Sequence, residues 1–308
     1  SPLKEDHVKA MARLLSPFRE TLNLQKTDQI GVKIHPGEEG NTSFLNAYET
    51  NLLLEGLSLP RQRTFLTDTT VLYPGRRMTA TAYTLLASEH GFGPPQTPPF
   101  LVADGLRGTA EVHVPFPEKW GLPPARIAPL FQETDVMVVL SHFKGHLLSG
   151  FGGAIKNLGM GCASRGGKLY QHSSVKPRLR EKKCIACGVC AEHCPANAIT
   201  ATEVAQVDEG RCIGCGECLQ RCPTGAYSVS WDQEKVTFMR RMAAYAAAAT
   251  KVTRTALCVN FIVRVAPDCD CMRDTGAFLV EDLGVVASTD PVALDAASQD
   301  LVTAAAPP

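Results

Sequence analysis

The chain has 308 residues, and its 31 basic and 31 acidic residues give a formal net charge of zero. This balance excludes nucleic acid and anionic membranes as default partners, and no run approaches the roughly 20 apolar residues that cross a bilayer. Because the N-terminus also lacks the apolar segment of a signal peptide, we expect a cytoplasmic protein with one large domain and one small one.

In the first 140 residues, helical and strand patterns alternate. Apolar residues at helical spacing predict amphipathic helices, and short runs of β-branched and aromatic residues predict strands. Alternation of this kind predicts an α/β fold with a mostly parallel sheet and flanking helices. The predicted helices are 5–24, 44–59 and 79–90, and the predicted strands are 29–35, 63–67, 100–104, 111–114 and 135–140.

Residues 141–173 form a stretch rich in glycine, lysine and histidine that follows the last of these strands. Parallel sheets bind ligands at the carboxyl ends of their strands, and glycines let the backbone close onto a ligand. Lysines there would neutralise an anionic substrate, and histidines would donate protons. We therefore expect a pocket with catalytic His142, Lys144, His146, Lys156 and His172, and with substrate- or cofactor-binding Lys33, His35, Asp68, Gly152, Gly153, Asn157 and Lys168.

Two cysteine runs of the form C-x2-C-x2-C-x3-C-P begin at Cys184 and Cys212. A run with this spacing gives three thiolates to one iron–sulfur cluster and its fourth to the other. The runs therefore predict two [4Fe–4S] clusters, and the segment resembles a bacterial two-cluster ferredoxin. The predicted ligands are Cys184, Cys187, Cys190 and Cys222 for the first cluster, and Cys212, Cys215, Cys218 and Cys194 for the second.

The α/β pattern resumes after this segment, with a helix over 238–249 and strands over 256–264 and 283–288. Asp290 is expected to cap a final helix that begins at Pro291. The ferredoxin-like α+β unit is therefore predicted to be an insertion in the α/β domain. The predicted division is 1–178 for the first part of the α/β domain, 179–231 for the insertion and 232–308 for the remainder.

Cys269 and Cys271 form a further C-x-C pair. Together with Cys162, Cys258 or a histidine, they could complete an additional metal site, and such ligands would suit zinc, iron or nickel. The alternative is a pair of ordinary thiols beside a turn. Both interpretations stay open at this point.

Several pieces of the sequence form a pattern together: 32–35, 67–69 with Tyr73, the block 142–172, the two cysteine runs, 268–271 and 287–295. With these pieces the chain resembles the domain-of-unknown-function 362 family of iron–sulfur proteins. The resemblance covers nearly the whole chain, but the family name assigns no activity.

A remoter resemblance is to lactate racemase-like proteins, which carry a His, a Gly-Gly-x-Lys segment and a second His in a glycine-rich loop that holds a nickel-pincer nucleotide. Here His146, Gly152–Gly153, Lys156 and His172 follow the same order. In that family an Arg follows the corresponding Asp three residues later, whereas here Val71 stands three residues after Asp68. The resemblance therefore implies a shared α/β scaffold and pocket location more than it implies nickel.

These features favour an enzyme, a ferredoxin-type iron–sulfur oxidoreductase. Electrons from a donor such as a ferredoxin or flavodoxin would pass through the two clusters to an anionic small molecule in the 141–173 stretch. Reduction of an unsaturated bond is the simplest net reaction. Two alternatives remain: a non-catalytic electron-transfer or maturation subunit, and a metal-cofactor enzyme of lactate racemase-like type.

Overall fold

The computed structural model describes residues 3–172, 177–229 and 234–306. Its helices are α1 (Glu5–Leu22), α2 (Ala47–Leu57), α3 (Ala80–Glu89), α4 (Ala154–Gly159), α5 (Arg165–His172), α6 (Val189–Glu192), α7 (Glu217–Arg221), α8 (Lys235–Val252) and α9 (Pro291–Ala305). Its strands are β1 (Ile30–Lys33), β2 (Thr64–Asp68), β3 (Phe100–Val102), β4 (Val112–Val114), β5 (Ala125–Ile127), β6 (Val136–His142), β7 (Lys144–His146), β8 (Gly150–Gly152), β9 (Arg178–Leu179), β10 (Ile199–Ala201), β11 (Ala205–Val207), β12 (Tyr227–Ser228), β13 (Arg254–Ile262) and β14 (Gly284–Ser288). None of the helices in these three ranges is long and apolar enough to cross a membrane.

A six-stranded sheet in the order β14-β13-β6-β1-β2-β3 forms the centre of the fold. All of its neighbouring strands are parallel except β13 and β14, which run antiparallel. Every residue of β1, β2 and β6 is buried, as expected for parallel strands covered by helices on both faces. The predicted α/β fold with a mostly parallel sheet and flanking helices is confirmed.

The two faces of the sheet belong to two different cores. Alternate side chains of a strand point to opposite faces, so Val136, Val138 and Leu140 of β6 pack with α1 and α2, whereas Met137 and Val139 pack with α4 and α8. The continuous apolar run of β6 follows from this arrangement, because each of its faces needs an apolar residue.

The stretch 141–173, predicted to be a glycine-rich loop, is mostly regular structure over its described residues, 141–172. It contains the end of β6, the antiparallel β7–β8 pair, α4 and α5. The short helix α4 is stabilised from a distance, because the Asp295 carboxylate of α9 accepts hydrogen bonds from the amides of Ala154 (2.7 Å) and Ile155 (2.9 Å). Local sequence patterns carry no signal for such a tertiary cap, and the glycines favoured a loop.

The cysteine-rich segment 177–229 has its own small elements: helices α6 and α7 and the antiparallel pairs β9–β12 and β10–β11. Leu179 lies opposite Tyr227, so the two ends of the segment lie side by side. This is the geometry that an insertion requires. The predicted boundary at 231–232 falls outside the described residues, and the division into domains stays a prediction.

Candidate functional site

A cavity of about 490 Å³ lies at the carboxyl edge of the parallel strands β1, β2, β6 and β13. This is the edge at which open α/β sheets bind ligands. The structure brings together in its wall every residue predicted above for catalysis and for substrate binding. The strands, the β7–β8 pair and the helices α4 and α5 each contribute part of that wall. The chemical role of each of these residues depends on its contact partners.

Lys33 and Asp68 form a buried ion pair at the ends of β1 and β2. The Lys33 ammonium lies 2.8 Å from Asp68 Oδ1 and donates a hydrogen bond to Asn157 Oδ1 at 2.6 Å. Although burial raises the pKa of Asp68, Lys33 and Arg77 hold it well below its usual value. The carboxylate therefore stays ionised, and the charge of Lys33 is already balanced within the protein.

A second buried carboxylate, Asp270, holds His142 and Lys144. Asp270 Oδ2 lies 2.9 Å from His142 Nδ1 and 3.0 Å from Lys144 Nζ. His142 Nε2 donates to the Val263 carbonyl at 2.7 Å. Burial raises the pKa of Asp270, but Lys144 and His142 outweigh this and hold the pKa well below its usual value. Because both ring nitrogens of His142 have partners, this histidine is suited to fix the neighbouring chain rather than to transfer protons.

His35 is held by Arg77, a residue that the sequence alone did not indicate as part of the site. The Arg77 guanidinium can only donate, so the 2.9 Å contact between its Nη1 and His35 Nε2 makes that nitrogen an acceptor. Burial, reinforced by the Arg77 charge, lowers the pKa of His35 well below its usual value. Arg77 lies in the loop after β2, and only its position after a strand could have indicated the site. Asp270 was missed as well, although it lies between two cysteines.

His146 and His172 face the cavity as neutral rings. Burial and then the charge of Lys156 lower the pKa of His146 to about 2 and that of His172 to about 3. His146 Nδ1 accepts from the amides of Leu148 (3.2 Å) and Ser149 (3.1 Å). Neither ring is an imidazolium near neutral pH, so proton donation from these histidines is a weaker expectation than the sequence alone suggested.

Lys168 is the lysine with the greatest capacity for proton transfer. Its ammonium donates to two neutral oxygens, Thr69 Oγ1 and the Ala163 carbonyl. Burial lowers the pKa of Lys168 to about 8, against the effect of the Asp104 and Asp68 carboxylates and with the help of Lys33 and Arg77. A general acid is most effective when its pKa lies near the working pH. From the sequence alone, Lys168 was expected only to bind substrate or cofactor.

Cys269 and Cys271 also line the cavity, whereas Cys162 lies in the core beneath the sheet. The Lys156 ammonium is 3.0 Å from Cys269 Sγ. The hydrogen bond from Cys271 lowers the pKa of Cys269 well below its usual value, against the effect of burial and with the help of Lys156. Within the described ranges, no group of three or more His, Cys, Asp or Glu side chains is close enough to hold a metal ion. The additional metal site at Cys162, Cys269 and Cys271 stays a prediction.

The eight cysteines of the two repeated runs lie around two smaller cavities. Each cavity is lined by three cysteines of one run and by the fourth cysteine of the other run. One is lined by Cys184, Cys187, Cys190 and Cys222, and the other by Cys212, Cys215, Cys218 and Cys194. A cubane cluster holds its thiolates at four corners, so they lie further apart than the ligands of a single ion. This donor set fits a [4Fe–4S] cluster in each cavity.

No curated protein matched the sequence. Among solved structures, the lactate racemase apoprotein from Thermoanaerobacterium thermosaccharolyticum is similar to this chain, with a TM-score of 0.50 and 15% sequence identity. The match covers 94% of this chain and 53% of the racemase chain, so this chain spans about half the length of that protein. At this identity the likeness concerns the fold alone.

The family comparison extends over most of the sequence. Residues 30–300 match the family described as domain of unknown function (DUF362). The match includes the strands of the central sheet, the cavity wall and both cysteine runs. The chain therefore belongs to the DUF362 family.

Proposed function

We propose that this protein is an iron–sulfur oxidoreductase in which two [4Fe–4S] clusters deliver electrons to an anionic small molecule in the large cavity. One observation carries the proposal. The eight cysteines separate into two sets of four around two cavities, and each set takes its fourth member from the other run. This crossed arrangement is what the C-x2-C-x2-C-x3-C-P spacing requires of a two-cluster protein.

Backbone amides support the cluster assignment. The amides of Ala198 and Ala226 each lie 3.2 Å from a cysteine sulfur, Cys194 Sγ and Cys222 Sγ respectively. Amide donors stabilise the negative charge of ligating thiolates and influence cluster potentials. Each cluster, when bound, supplies one electron at a time. These backbone contacts, together with the thiols, support the proposal that each cavity holds an electron-transfer cluster.

The contacts of the cysteine-rich segment suggest the direction of electron flow. Arg126 Nη1 donates to the Gly214 carbonyl at 3.3 Å, and the Arg165 side chain lies against Gly216, both in the second run. Cys187, in the first run, is exposed. We infer that electrons from a soluble donor enter at the first run and leave from the second, which adjoins the α/β domain.

The cavity supplies charge and a proton to the substrate. Lys33 and Lys144 form ion pairs with Asp68 and Asp270, whereas the hydrogen bonds of Lys168 go to neutral oxygens, so of these three lysines Lys168 is the one best suited to an anionic group. Its pKa of about 8 leaves it largely protonated at neutral pH and able to release a proton as electrons arrive. A two-electron reduction of a small anion is the reaction class that this combination supports.

The first test is metal and acid-labile sulfide analysis of anaerobically purified protein, with EPR of the reduced form. Two cubanes require about eight iron and eight sulfide per chain. We expect Cys215→Ser to lose one of the two EPR signals, whereas Cys258→Ser, which changes a buried thiol of β13, keeps both. Folded protein that binds no more than one cluster under these conditions would contradict the proposal.

The same analysis tests the alternatives. Nickel near one per chain that disappears in Lys156→Met would favour a metal-cofactor enzyme of lactate racemase-like type. Electron transfer to a soluble acceptor that is unchanged by Lys168→Met, with no small molecule found to bind the cavity, would favour a non-catalytic electron-transfer or maturation subunit.

A further inference from the structure

A turn after β13 places two thiols at the cavity wall, one on each side of a buried carboxylate. The amide of Met272 donates to the Cys269 carbonyl at 2.8 Å, which closes the turn. Asn41 Nδ2 donates to the Met272 carbonyl at 2.7 Å and ties the turn to the loop after β1. Cys269 and Cys271 both line the cavity. A contact from outside the turn therefore holds the backbone directly after the second thiol.

The central residue of the turn is held more firmly still. Asp270 accepts from Ser43 Oγ at 3.2 Å and lies 2.9 Å from His142 Nδ1 and 3.0 Å from Lys144 Nζ. Its side chain is fully buried. Because Asp270 is anchored in the protein, the turn that carries both flanking thiols keeps its conformation at the cavity wall. Two thiols on one fixed turn, separated by a single residue, are preorganised for disulfide formation.

Lys156 acts on one member of the pair. Its ammonium lies 3.0 Å from Cys269 Sγ, a distance that suits a charge-assisted contact with a thiolate. A neighbouring cation makes a cysteine a better nucleophile at neutral pH. The same cation opposes a divalent metal ion on that sulfur, because two positive charges would share one ligand. The geometry therefore favours thiol chemistry over metal binding at this pair.

We propose that Cys269 and Cys271 are a redox-active dithiol that reduces an organic disulfide in the cavity. The Cys269 thiolate attacks the disulfide, which forms a mixed disulfide and releases one thiolate. Cys271 then loses its proton and attacks Cys269 Sγ, which closes the Cys269–Cys271 disulfide and releases the second thiolate. The proton from Cys271 and one from the surroundings convert the products to two thiols.

The dithiol is restored by two electrons and one proton. The S–S bond breaks, Cys269 becomes a thiolate beside Lys156, and Cys271 takes the proton. This return step rests on the proposed function, since one electron from each [4Fe–4S] cluster would supply the two that are needed. The clusters supply one electron at a time, whereas the proposed substrate reduction needs two. A dithiol can take up single electrons one after the other and pass two of them to the substrate together. The disulfide exchange itself needs no cluster.

The redox state of the two thiols can be measured on a single tryptic peptide. Trypsin cleaves after Arg264 and Arg273, so it releases residues 265–273, which contain Cys269 and Cys271 and none of the predicted cluster ligands. The full chain is equilibrated without oxygen in mixtures of reduced and oxidised glutathione, quenched in acid, alkylated and digested. We expect the peptide to change reversibly between a doubly alkylated form and an unalkylated form that is lighter than the dithiol by two hydrogens. A peptide that stays doubly alkylated at every glutathione ratio would overturn the proposal.

Two variants and one control variant make the test specific. In Cys271→Ser, the attack on the mixed disulfide is lost, so glutathione should remain on Cys269. In Lys156→Met, alkylation of Cys269 at neutral pH should slow by about tenfold, the size expected when a thiolate loses a neighbouring cation. Lys182→Met, which changes an exposed lysine, should leave the alkylation rate unchanged. Equal alkylation rates in Lys156→Met and the unaltered protein would contradict the role of Lys156, and metal held stoichiometrically by the pair would overturn the dithiol.

The outcome is separable from that of the cluster proposal. Glutathione exchange in protein that binds no iron would leave the dithiol standing and remove its proposed electron source. Full cluster content together with an inert 265–273 peptide would leave the cluster proposal standing and overturn the dithiol.

Discussion

The Lys33 ammonium lies 2.8 Å from Asp68 Oδ1, and neither side chain is more than 3% exposed. The contact follows from the parallel register of the sheet, in which Lys33 of β1 lies opposite Thr67 of β2 and Asp68 comes next. Residues that end neighbouring parallel strands meet at one edge, so a charge on one strand can be balanced by the other. The pair forms part of the cavity wall and stabilises the edge on which the site is built.

Asp68→Asn should therefore destabilise the protein strongly. Removal of one partner from a buried ion pair leaves the other charge uncompensated, at a cost of about 3–5 kcal/mol. Urea unfolding at neutral pH measures this change in the free energy of unfolding. Glu89→Gln, which breaks the exposed contact with Arg76, is the matched control and should change stability little. Similar effects of the two substitutions would show that the Lys33–Asp68 pair is not effectively buried.

His172 should make stability depend on pH in the acidic range. Its pKa is about 3 in the folded chain because of burial and Lys156, whereas an unfolded histidine titrates near pH 6.5. Between these values the unfolded state binds more protons, so the free energy of unfolding falls as the pH is lowered from about 7. His146, with a pKa of about 2, acts in the same direction.

Comparison of urea unfolding at pH 5 and pH 7 tests this linkage. His172→Phe can keep the ring contact with Phe238, whose centroid lies 4.9 Å away, and cannot take up a proton. We expect this variant to lose less stability at pH 5 than the unaltered protein. His113→Gln, at an exposed position, should leave the pH dependence as it is. An unchanged slope in His172→Phe would mean that this ring is protonated in the folded state.

The sequence located the cavity better than it described the roles of its residues. Lys33, Asp68 and His142 line the cavity at the sheet edge, where short, regular strand patterns in the sequence indicate that a strand ends. The contact partners could not be predicted, because they are distant in sequence. His142 contacts Asp270, 128 residues away, and α4 is capped by Asp295, 141 residues from Ala154. Strand patterns predict where a chain ends a sheet, but a buried charge balance depends on contacts that only the folded chain makes.

Gly145→Ala should loosen the turn that carries the two cavity thiols. Gly145 donates its amide to the Ala266 carbonyl at 2.8 Å, and a Cβ at this position would overlap the Pro267 carbonyl. Backbone atoms cannot yield as a flexible side chain would, so we expect a loss of roughly 1–3 kcal/mol in unfolding free energy. Because Pro267 lies two residues before Cys269, alkylation of the 265–273 peptide should also become faster.

Gly210→Ala is the matched control, since an added Cβ there meets only the end of the exposed Asp208 side chain. It should change neither stability nor alkylation. If Gly145→Ala lowered stability without altering the thiols, the close approach to Pro267 would support the fold but would not position the turn.

We expect Arg165→Met to lower the potential of one of the two proposed clusters and to leave the other unchanged. Arg165 is fully buried, donates to the Met78 carbonyl at 2.6 Å and packs its methylene groups against Gly216, next to Cys215. Its Nε and Nη1 have no hydrogen-bond partner among the described residues. A positive charge here stabilises the added electron of a reduced cluster, and about 1 kcal/mol of such stabilisation corresponds to roughly 40 mV for a one-electron couple.

An EPR-monitored redox titration measures the potential of each cluster. In Arg165→Met, the signal of the cluster that Cys215→Ser removes should shift to lower potential. Arg13→Met, which alters an exposed arginine of α1, should change neither signal. Equal shifts of both signals would mean that Arg165 acts on the fold of the whole cysteine-rich segment and that the second run is not distinguished by its contact with the α/β domain.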